Sequence, residues 1–182
     1  MDHSKVILIR VLVVLLAVMG YGAIRLVDIL ELVEWTTAIA FDVEEITPEQ
    51  LAARQATPDS VPYALFDVRR PEEFDRSHLR NAVRIDPDLD AAAFLDAYSD
   101  RIAGKHLVFY CSVGYRSSTM VERISAAAHH SGARSVLNLR GGIFRWYSEA
   151  RDVYDIDGEI TDDVHPYSDL WGRLISRPLQ SK

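Results

Sequence analysis

The chain contains a single cysteine, Cys111, and the residues that follow it suit the chemistry of a negatively charged group. In the stretch CSVGYRSS, Gly114 permits a turn that points successive amides at one centre, and Arg116 adds a permanent positive charge. If a helix begins near Arg116, its first N–H groups lack intrahelical partners and its positive dipole end faces the cysteine. These features favour bound anions and the ionised thiol. The spacing therefore predicts a thiolate nucleophile facing an anion-binding loop.

A lone cysteine also has a simpler interpretation, because free cysteine is often buried and packs like a small hydrophobic side chain. That role places no demand on the residues that follow it. A glycine, an arginine and a serine at the head of a helix are what a reactive thiol requires. The reactive interpretation of Cys111 is therefore favoured over the structural one.

Short strands and helices alternate around this loop. Apolar runs predict strands at 63–68, 82–85, 106–111 and 135–139. Capping residues and helical spacing predict helices that begin at Thr47–Pro48 and at Pro71, and helices over 90–98, 116–129 and 141–150. Such alternation predicts an open α/β domain with a parallel sheet covered by helices on both faces. In these sheets functional groups lie beyond the carboxyl ends of strands, where Cys111 falls.

Three motifs in this order resemble the rhodanese family of sulfurtransferases, over roughly residues 46–150. The first, CSVGYRS, resembles the active-site loop and matches it at Cys111, Gly114, Arg116 and Ser117. The second, LFDVRRPEEFDRSHLRNAVRI, matches an upstream signature at Asp67, Arg69, Glu73, Phe74, His78 and Ala82. The third, NLRGGIFRW, matches at Gly141, Gly142 and Trp146. Ser77 and Asn81 stand where the family usually has glycines, so a differently shaped turn is expected there.

The resemblance implies a rhodanese-like, five-stranded, open parallel sheet and an enzyme that needs no cofactor or metal. Cys111 would accept a sulfane sulfur as a persulfide and pass it to a thiol or another nucleophile. The implied substrate-binding residues are Ser112, Val113, Gly114, Tyr115, Arg116 and Ser117, and the implied pocket-supporting residues are Asp67 and Arg69. An ion pair that fixes the turn after the second strand is the favoured role for Asp67, Arg69 and Glu73.

Two loop positions depart from members that use thiosulfate. The second loop position, often basic in those members, is Ser112, and the third is the apolar Val113. With Arg116 as the one fixed charge of the loop, a strongly anionic donor is expected to bind weakly. A rate with thiosulfate as high as with thiol persulfides would count against this hypothesis.

Two other functions compete with sulfur transfer. Cysteine phosphatases and arsenate reductases also hold a thiolate in an arginine-bearing loop at a helix N-terminus, but their loop resembles Cys-x5-Arg. Here four residues separate Cys111 from Arg116, which makes the loop too short for a tetrahedral oxyanion. The second alternative is a non-catalytic membrane-associated binding module, and the presence of the loop cysteine weighs against it.

Composition excludes several other classes of site and partner. The formal net charge of the 182 residues is -7, and the basic residues are scattered, so nucleic acid is not an expected partner. One cysteine allows no intramolecular disulfide and no thiolate-rich metal site. The expected partners are a small sulfur-containing donor and a thiol acceptor, and the sequence identifies no protein partner.

The first 24 residues have a different character from the rest. Residues 11–24 carry no charge, and the apolar span extends back to Val6 with an interruption at Arg10. This length predicts a transmembrane anchor, with a cleaved signal peptide or a buried core helix as alternatives. Because Lys5 and Arg10 precede the span, the domain is expected on the extracytoplasmic side, anchored there or secreted to the periplasm after cleavage.

The remaining segments flank the predicted domain of residues 46–150. Residues 25–45 are interpreted as a juxtamembrane segment. Residues 151–182 are interpreted as an acidic connector followed by a C-terminal helix that docks onto the domain through Leu170, Trp171, Leu174 and Ile175.

Overall fold

Five parallel strands form the central sheet in a computed structural model that describes residues 29–57, 61–172 and 175. The strands are β1 (Glu45–Ile46), β2 (Tyr63–Asp67), β3 (Val83–Arg84), β4 (His106–Tyr110) and β5 (Ser135–Leu139). Their order across the sheet is β1-β5-β4-β2-β3, and every neighbouring pair is parallel. The predicted parallel α/β sheet is confirmed.

Helices cover both faces of this sheet. They are α1 (Ile29–Ala40), α2 (Pro48–Gln55), α3 (Pro71–Arg76), α4 (Ala91–Tyr98), α5 (Tyr115–His130), α6 (Gly142–Ser148) and α7 (Asp169–Gly172), with a 3-10 turn at Ser99–Arg101. Alternate residues of β4 divide between the two layers, because successive side chains of a strand point to opposite faces. Leu107 and Phe109 pack with α4 and α5, whereas Val108 and Tyr110 pack with α1, α2 and α6.

Local sequence signals locate several of these elements. Thr47 caps α2: its hydroxyl accepts from the amide of Gln50 at 3.2 Å, and the Gln50 side chain accepts from the Thr47 amide at 3.1 Å. This reciprocal pair satisfies two amides that the first helical turn leaves unpartnered. Asp90 caps α4 with a single hydrogen bond, in which its side chain accepts from the Ala93 amide at 2.8 Å. The predicted starts of both helices are confirmed.

Two segments outside the predicted domain pack against its core. Leu30 of α1 is buried and Val33 lies against the same cluster, which also contacts Trp171 and Ile175 near the C-terminus. Glu34 of α1 forms an ion pair with Arg145 of α6, with nitrogen and oxygen 2.6 Å apart. The helix interpreted as a juxtamembrane segment therefore lies on the α/β domain.

The acidic stretch after α6 contains a β-hairpin. Strands β6 (Val153–Tyr154) and β7 (Ile160–Thr161) pair antiparallel, and Tyr154 also forms a bridge with His78. Val153 is buried in the core, so this part of the predicted connector is attached to the domain.

The predicted anchor or signal segment, residues 1–24, lies outside the described residues. Within residues 29–57, 61–172 and 175, no helix is both long and apolar enough to cross a bilayer. The assignment of residues 1–24 therefore stays a prediction from the sequence.

The turn that departs from the rhodanese signature keeps one left-handed residue. Asn81 has φ of 61°, a region that asparagine tolerates better than most non-glycine residues. Ser77 is extended, with φ of -166°, and glycine is not needed for that conformation. Both replacements are therefore compatible with the backbone.

A buried ion pair holds this turn against the sheet. Arg69 and Asp67 have fully buried side chains, with Nη2 and Oδ2 2.7 Å apart, and Arg69 also donates to the carbonyl oxygen of Ser77. Burial opposes the charge of Arg69, but attraction to Asp67 outweighs it and raises the arginine pKa. The Tyr110 hydroxyl next to this pair accepts from the Leu79 amide at 3.1 Å. The pair thus ties the end of β2 to the segment that precedes β3.

Asp67→Ala should lower the free energy of unfolding by about 3–5 kcal/mol, because it leaves the Arg69 guanidinium buried without its counter-ion. Urea denaturation measures this change. Arg76→Ala is the control: Arg76 and Asp163 lie 3.2 Å apart with side chains 43% and 66% exposed, and such a pair contributes about 0–1 kcal/mol. If Asp67→Ala lowers the free energy of unfolding no more than Arg76→Ala does, the structural role of the buried pair is contradicted.

Candidate active site

Cys111 lies directly after β4, at the carboxyl end of the sheet, where the chain turns into α5. Its residue surface is 1% exposed, and its Sγ accepts from the Gly114 amide at a nitrogen–sulfur distance of 3.2 Å. The cysteine packs on the core beside α5 and also lines a pocket of about 360 Å³. It therefore combines the burial of a structural cysteine with a sulfur that meets an amide at the pocket wall.

Gly114 directs that amide at the sulfur. Its φ of 98° lies in the left-handed region that glycine adopts without penalty. Its carbonyl oxygen accepts from the Ser118 amide at 3.0 Å and from the Ser118 hydroxyl at 2.9 Å, and the Ser117 hydroxyl lies 3.0 Å from it. These contacts fix the carbonyl in the first turn of α5, so the orientation of Gly114 is determined on both sides.

Ser117 connects the loop to β5. Its side chain is buried, and its hydroxyl lies 2.7 Å from Oδ1 of Asn138 in β5. The Asn138 amide in turn donates to the Glu45 carboxylate at 3.1 Å. Ser117 was predicted to bind substrate, but its hydroxyl faces Gly114 and β5, and it does not line the pocket.

Arg116 is paired with Glu73 of α3. Its Nη1 and Nη2 donate to the two carboxylate oxygens at 3.1 and 2.9 Å, and Nη2 also donates to the Ser112 hydroxyl at 3.1 Å. The Ser112 hydroxyl donates to the same carboxylate at 3.0 Å. Glu73 was predicted to belong to the ion pair of Asp67 and Arg69, but its carboxylate instead contacts the loop of residues 111–116.

This pairing keeps both groups charged. Burial opposes ionisation of Glu73, but hydrogen bonds and attraction from Arg116 lower its pKa below the usual 4.5. Burial likewise opposes the charge of Arg116, and contacts with Glu73 and Cys111 raise its pKa. The positive charge predicted to serve the anion site is thus largely balanced by a neighbouring carboxylate.

Five of the predicted site residues line the pocket: Cys111, Ser112, Val113, Tyr115 and Arg116. Gly114 shapes the loop, and Asp67 and Arg69 lie buried outside the pocket wall. Sequence reasoning missed the other wall, which consists of Val33, Thr36 and Thr37 of α1 with Tyr167 and Trp171 near the C-terminus. These residues are distant in the chain from Cys111, and no local pattern links them to the loop.

Within the described parts of the chain, no cluster of three or more histidine, cysteine, aspartate or glutamate side chains is arranged to hold a metal ion.

Comparison with known protein families matches residues 47–149, more than half of the chain, to the rhodanese-like domain. The chain belongs to the rhodanese-like domain family. Two solved structures share its fold. The BH2092 protein from Bacillus halodurans has a TM-score of 0.51 and 19% identity, and the match covers 62% of this chain and 77% of that one. A thiosulfate sulfurtransferase from Pseudomonas aeruginosa has a TM-score of 0.52 and 13% identity, and the match covers 82% of this chain and 26% of that one. The expected rhodanese-like fold is confirmed.

Curated relatives share part of this chain. A tRNA uridine(34) hydroxylase from Escherichia coli is 34% identical over 98 residues, 50% of this chain and 26% of that protein. A protein of the same name from Staphylococcus epidermidis is 30% identical over 147 residues, 70% of this chain and 44% of that protein. The chain spans less than half the length of these relatives.

The start of α6 in this rhodanese-like domain holds the loop of residues 111–116 in place. At the start of α6, the amides of Ile143 and Phe144 donate to the carbonyl oxygens of Cys111 and Ser112 at 2.9 and 3.0 Å. Gly142 has φ of 56°, and a Cβ there would collide with the Cys111 carbonyl and the Ser112 backbone. The helix reaches the loop this closely because Gly142 has no side chain.

Gly142→Ala should lower the free energy of unfolding by about 1–3 kcal/mol more than Gly104→Ala, because it adds overpacking against the loop. Both variants incur a similar penalty for alanine in the left-handed region, about 1–2 kcal/mol. Gly104 is a matched control, with φ of 73° and no described atom within 4 Å of an added Cβ. Denaturant unfolding measures both variants. Equal losses would show that the close contact between α6 and the loop is unimportant.

Proposed function

We propose that this protein is a sulfurtransferase in which Cys111 accepts a sulfane sulfur and passes it to a thiol or another nucleophile. The observation that carries the proposal is the Cys111 sulfur at a pocket wall, 3.2 Å from the Gly114 amide that donates to it, in a rhodanese-like domain. A persulfide carries its charge on the outer sulfur, and amides at the start of a helix stabilise such charge.

The first half-reaction is a displacement at sulfur. The Cys111 thiolate attacks the outer sulfur of the donor, a new S–S bond forms, and the bond between that sulfur and the rest of the donor breaks with its electron pair on the leaving group. The positive end of α5, a 16-residue helix, faces this reaction. A thiolate nucleophile attacks without a separate general base.

The second half-reaction returns the enzyme to its starting state. A thiolate acceptor attacks the outer sulfur of the Cys111 persulfide, and the Cys111 thiolate leaves. The Gly114 amide serves both halves, because its hydrogen bond stabilises Cys111 as nucleophile and as leaving group.

A phosphatase reaction is less well supported than sulfur transfer. Four residues separate Cys111 from Arg116, and α5 begins at Tyr115, so the loop is short for a tetrahedral oxyanion. The Arg116 guanidinium, which would hold phosphate, instead makes two hydrogen bonds to Glu73.

The names of the curated relatives suggest hydroxylation of uridine 34 in tRNA, but support for that activity here is weak. The shared stretches cover 26% and 44% of those proteins. A net charge of -7 also disfavours a polyanionic partner. Sulfur transfer remains the proposal because it uses groups that the rhodanese-like domain itself supplies.

Cys111→Ser tests the reaction directly. After treatment with a sulfane-sulfur donor, the wild-type chain should gain one sulfur atom in intact mass, and cyanide or excess thiol should remove it. Cys111→Ser should gain none, because a hydroxyl at this position is a far weaker nucleophile than a thiolate. A wild-type protein that folds normally and gains no sulfur from persulfide or thiosulfate donors would overturn the proposal.

We further propose that residues 1–24 direct the domain across a membrane, as an anchor or a cleaved signal. The basis is the apolar span of residues 11–24 with Lys5 and Arg10 before it. In a bacterial host, residues 1–45 fused to a reporter enzyme that is active only after export should give activity. The same fusion without residues 1–24 should not. Equal activity of the two fusions, or none in either, would contradict export.

A further inference from the structure

The pocket above Cys111 is walled mainly by hydrocarbon. Val33 and Trp171 contribute apolar side chains from opposite ends of the chain, Val113 contributes one from the loop, and the rings of Tyr115 and Tyr167 complete the wall. A volume of about 360 Å³ is room for roughly a dozen water molecules at about 30 Å³ each, far more than thiosulfate fills. Pockets of this size and lining bind small organic molecules.

The charge balance of the pocket disfavours an anionic donor. Within the part of the wall that the structure describes, Arg116 is the one side chain with a fixed charge, and Glu73 balances it through two hydrogen bonds. The Tyr167 ring also covers the guanidinium, with its centroid 5.1 Å from Cζ. The Cys111 thiolate then adds one negative charge, and the α5 dipole offsets about half of it. A dianion such as thiosulfate therefore meets net repulsion.

We propose that this pocket selects an organic persulfide whose substituent is uncharged and apolar, an inference that rests on the proposed sulfurtransferase function. The Cys111 thiolate attacks the outer sulfur of R–S–S–H and forms the new S–S bond. The original S–S bond breaks with its electrons on the inner sulfur, which takes the proton and leaves as R–S–H. The step is balanced without an oxidant or reductant. The substituent R lies against α1 and Trp171.

The specificity of the pocket arises outside the family domain. The matched segment covers residues 47–149, whereas Val33 and Thr36 precede it and Tyr167 and Trp171 follow it. The loop inside the matched segment supplies the reacting sulfur, and the flanking segments supply the surface that a substituent contacts. Changes in the flanks should therefore alter donor preference without removing the reaction.

Donor preference of the full chain tests this proposal. Benzyl hydropersulfide and glutathione persulfide have the same reacting group, but only the second has a charged, hydrophilic substituent; thiosulfate is the anionic comparator. Sulfur uptake on Cys111, followed by intact mass, should give kcat/KM at least about tenfold higher for benzyl hydropersulfide than for either other donor.

Two variants and a control locate the effect in the flanking wall. Trp171→Ala should lower kcat/KM for benzyl hydropersulfide at least about tenfold. It should change kcat/KM for thiosulfate less than about twofold. Thr36→Lys adds a cation to the pocket wall at a partly exposed position of α1, and it should raise kcat/KM for thiosulfate about fivefold. Trp35→Ala, on the same helix with Trp35 59% exposed and outside this pocket, should change neither.

The outcomes separate this proposal from the proposed function. If Cys111 gains sulfur from thiosulfate or glutathione persulfide as fast as from benzyl hydropersulfide, the donor assignment fails and sulfur transfer stands. An equal effect of Trp171→Ala on all three donors also overturns the assignment, as does a Thr36→Lys protein with unchanged donor preference. If no donor leaves sulfur on Cys111, the sulfurtransferase function itself fails.

Discussion

The site depends on the backbone hydrogen bonds that fix the peptide groups of the loop of residues 111–116. The carbonyl oxygens of Cys111 and Ser112 accept from the first amides of α6, and the carbonyl oxygen of Gly114 accepts from the first turn of α5. In a trans peptide the carbonyl and the following N–H point in opposite directions. Fixing the first two carbonyls toward α6 therefore turns the amides of Ser112 and Val113 away from it. Two helix N-termini thus hold the loop, and both do so by donating to its carbonyl oxygens.

The charges of the site are arranged around Glu73. Its carboxylate accepts from Arg116 and from the Ser112 hydroxyl, so it connects α3 to both ends of the loop. The pair keeps the guanidinium in one orientation and at the same time removes most of its net charge. Stabilisation of a thiolate or persulfide then depends on backbone dipoles, which attract an anion through directed hydrogen bonds. A site built in this way holds charge at one sulfur atom more effectively than it attracts a distant anion.

Much of the sheet was predictable from local patterns. The strands ending at Asp67, Tyr110 and Leu139 are mostly apolar because both of their faces are covered by helices. Strand β1 has two residues, too few to produce any periodicity, and its place depends on pairing with β5. The loop after β4 was also predictable from a local pattern, because Cys111, Gly114 and Arg116 lie within one short stretch of sequence.

The rest of the site depends on contacts between distant segments. Glu73 meets Arg116 across 43 positions of the chain, whereas from the sequence Glu73 was assigned to the nearby pair of Asp67 and Arg69. Residues 25–45 were interpreted from the sequence as a juxtamembrane segment, and no local pattern indicated that Leu30 of α1 is buried in the core of the domain. Val33 is brought to the pocket by that packing, and Trp171 arrives from the opposite end of the chain.

This arrangement separates two requirements of the proposed sulfur transfer. The reacting sulfur needs rigid dipoles, and these come from α5 and α6 inside the family domain, where backbone geometry leaves little freedom. Recognition of a donor needs a shaped surface, and under our proposal that surface comes from α1 and the segment around Trp171. Thr37 of α1 and Cys111 line the same pocket. The helix α1, which lies outside the matched family domain, is therefore part of the wall of the pocket that Cys111 lines.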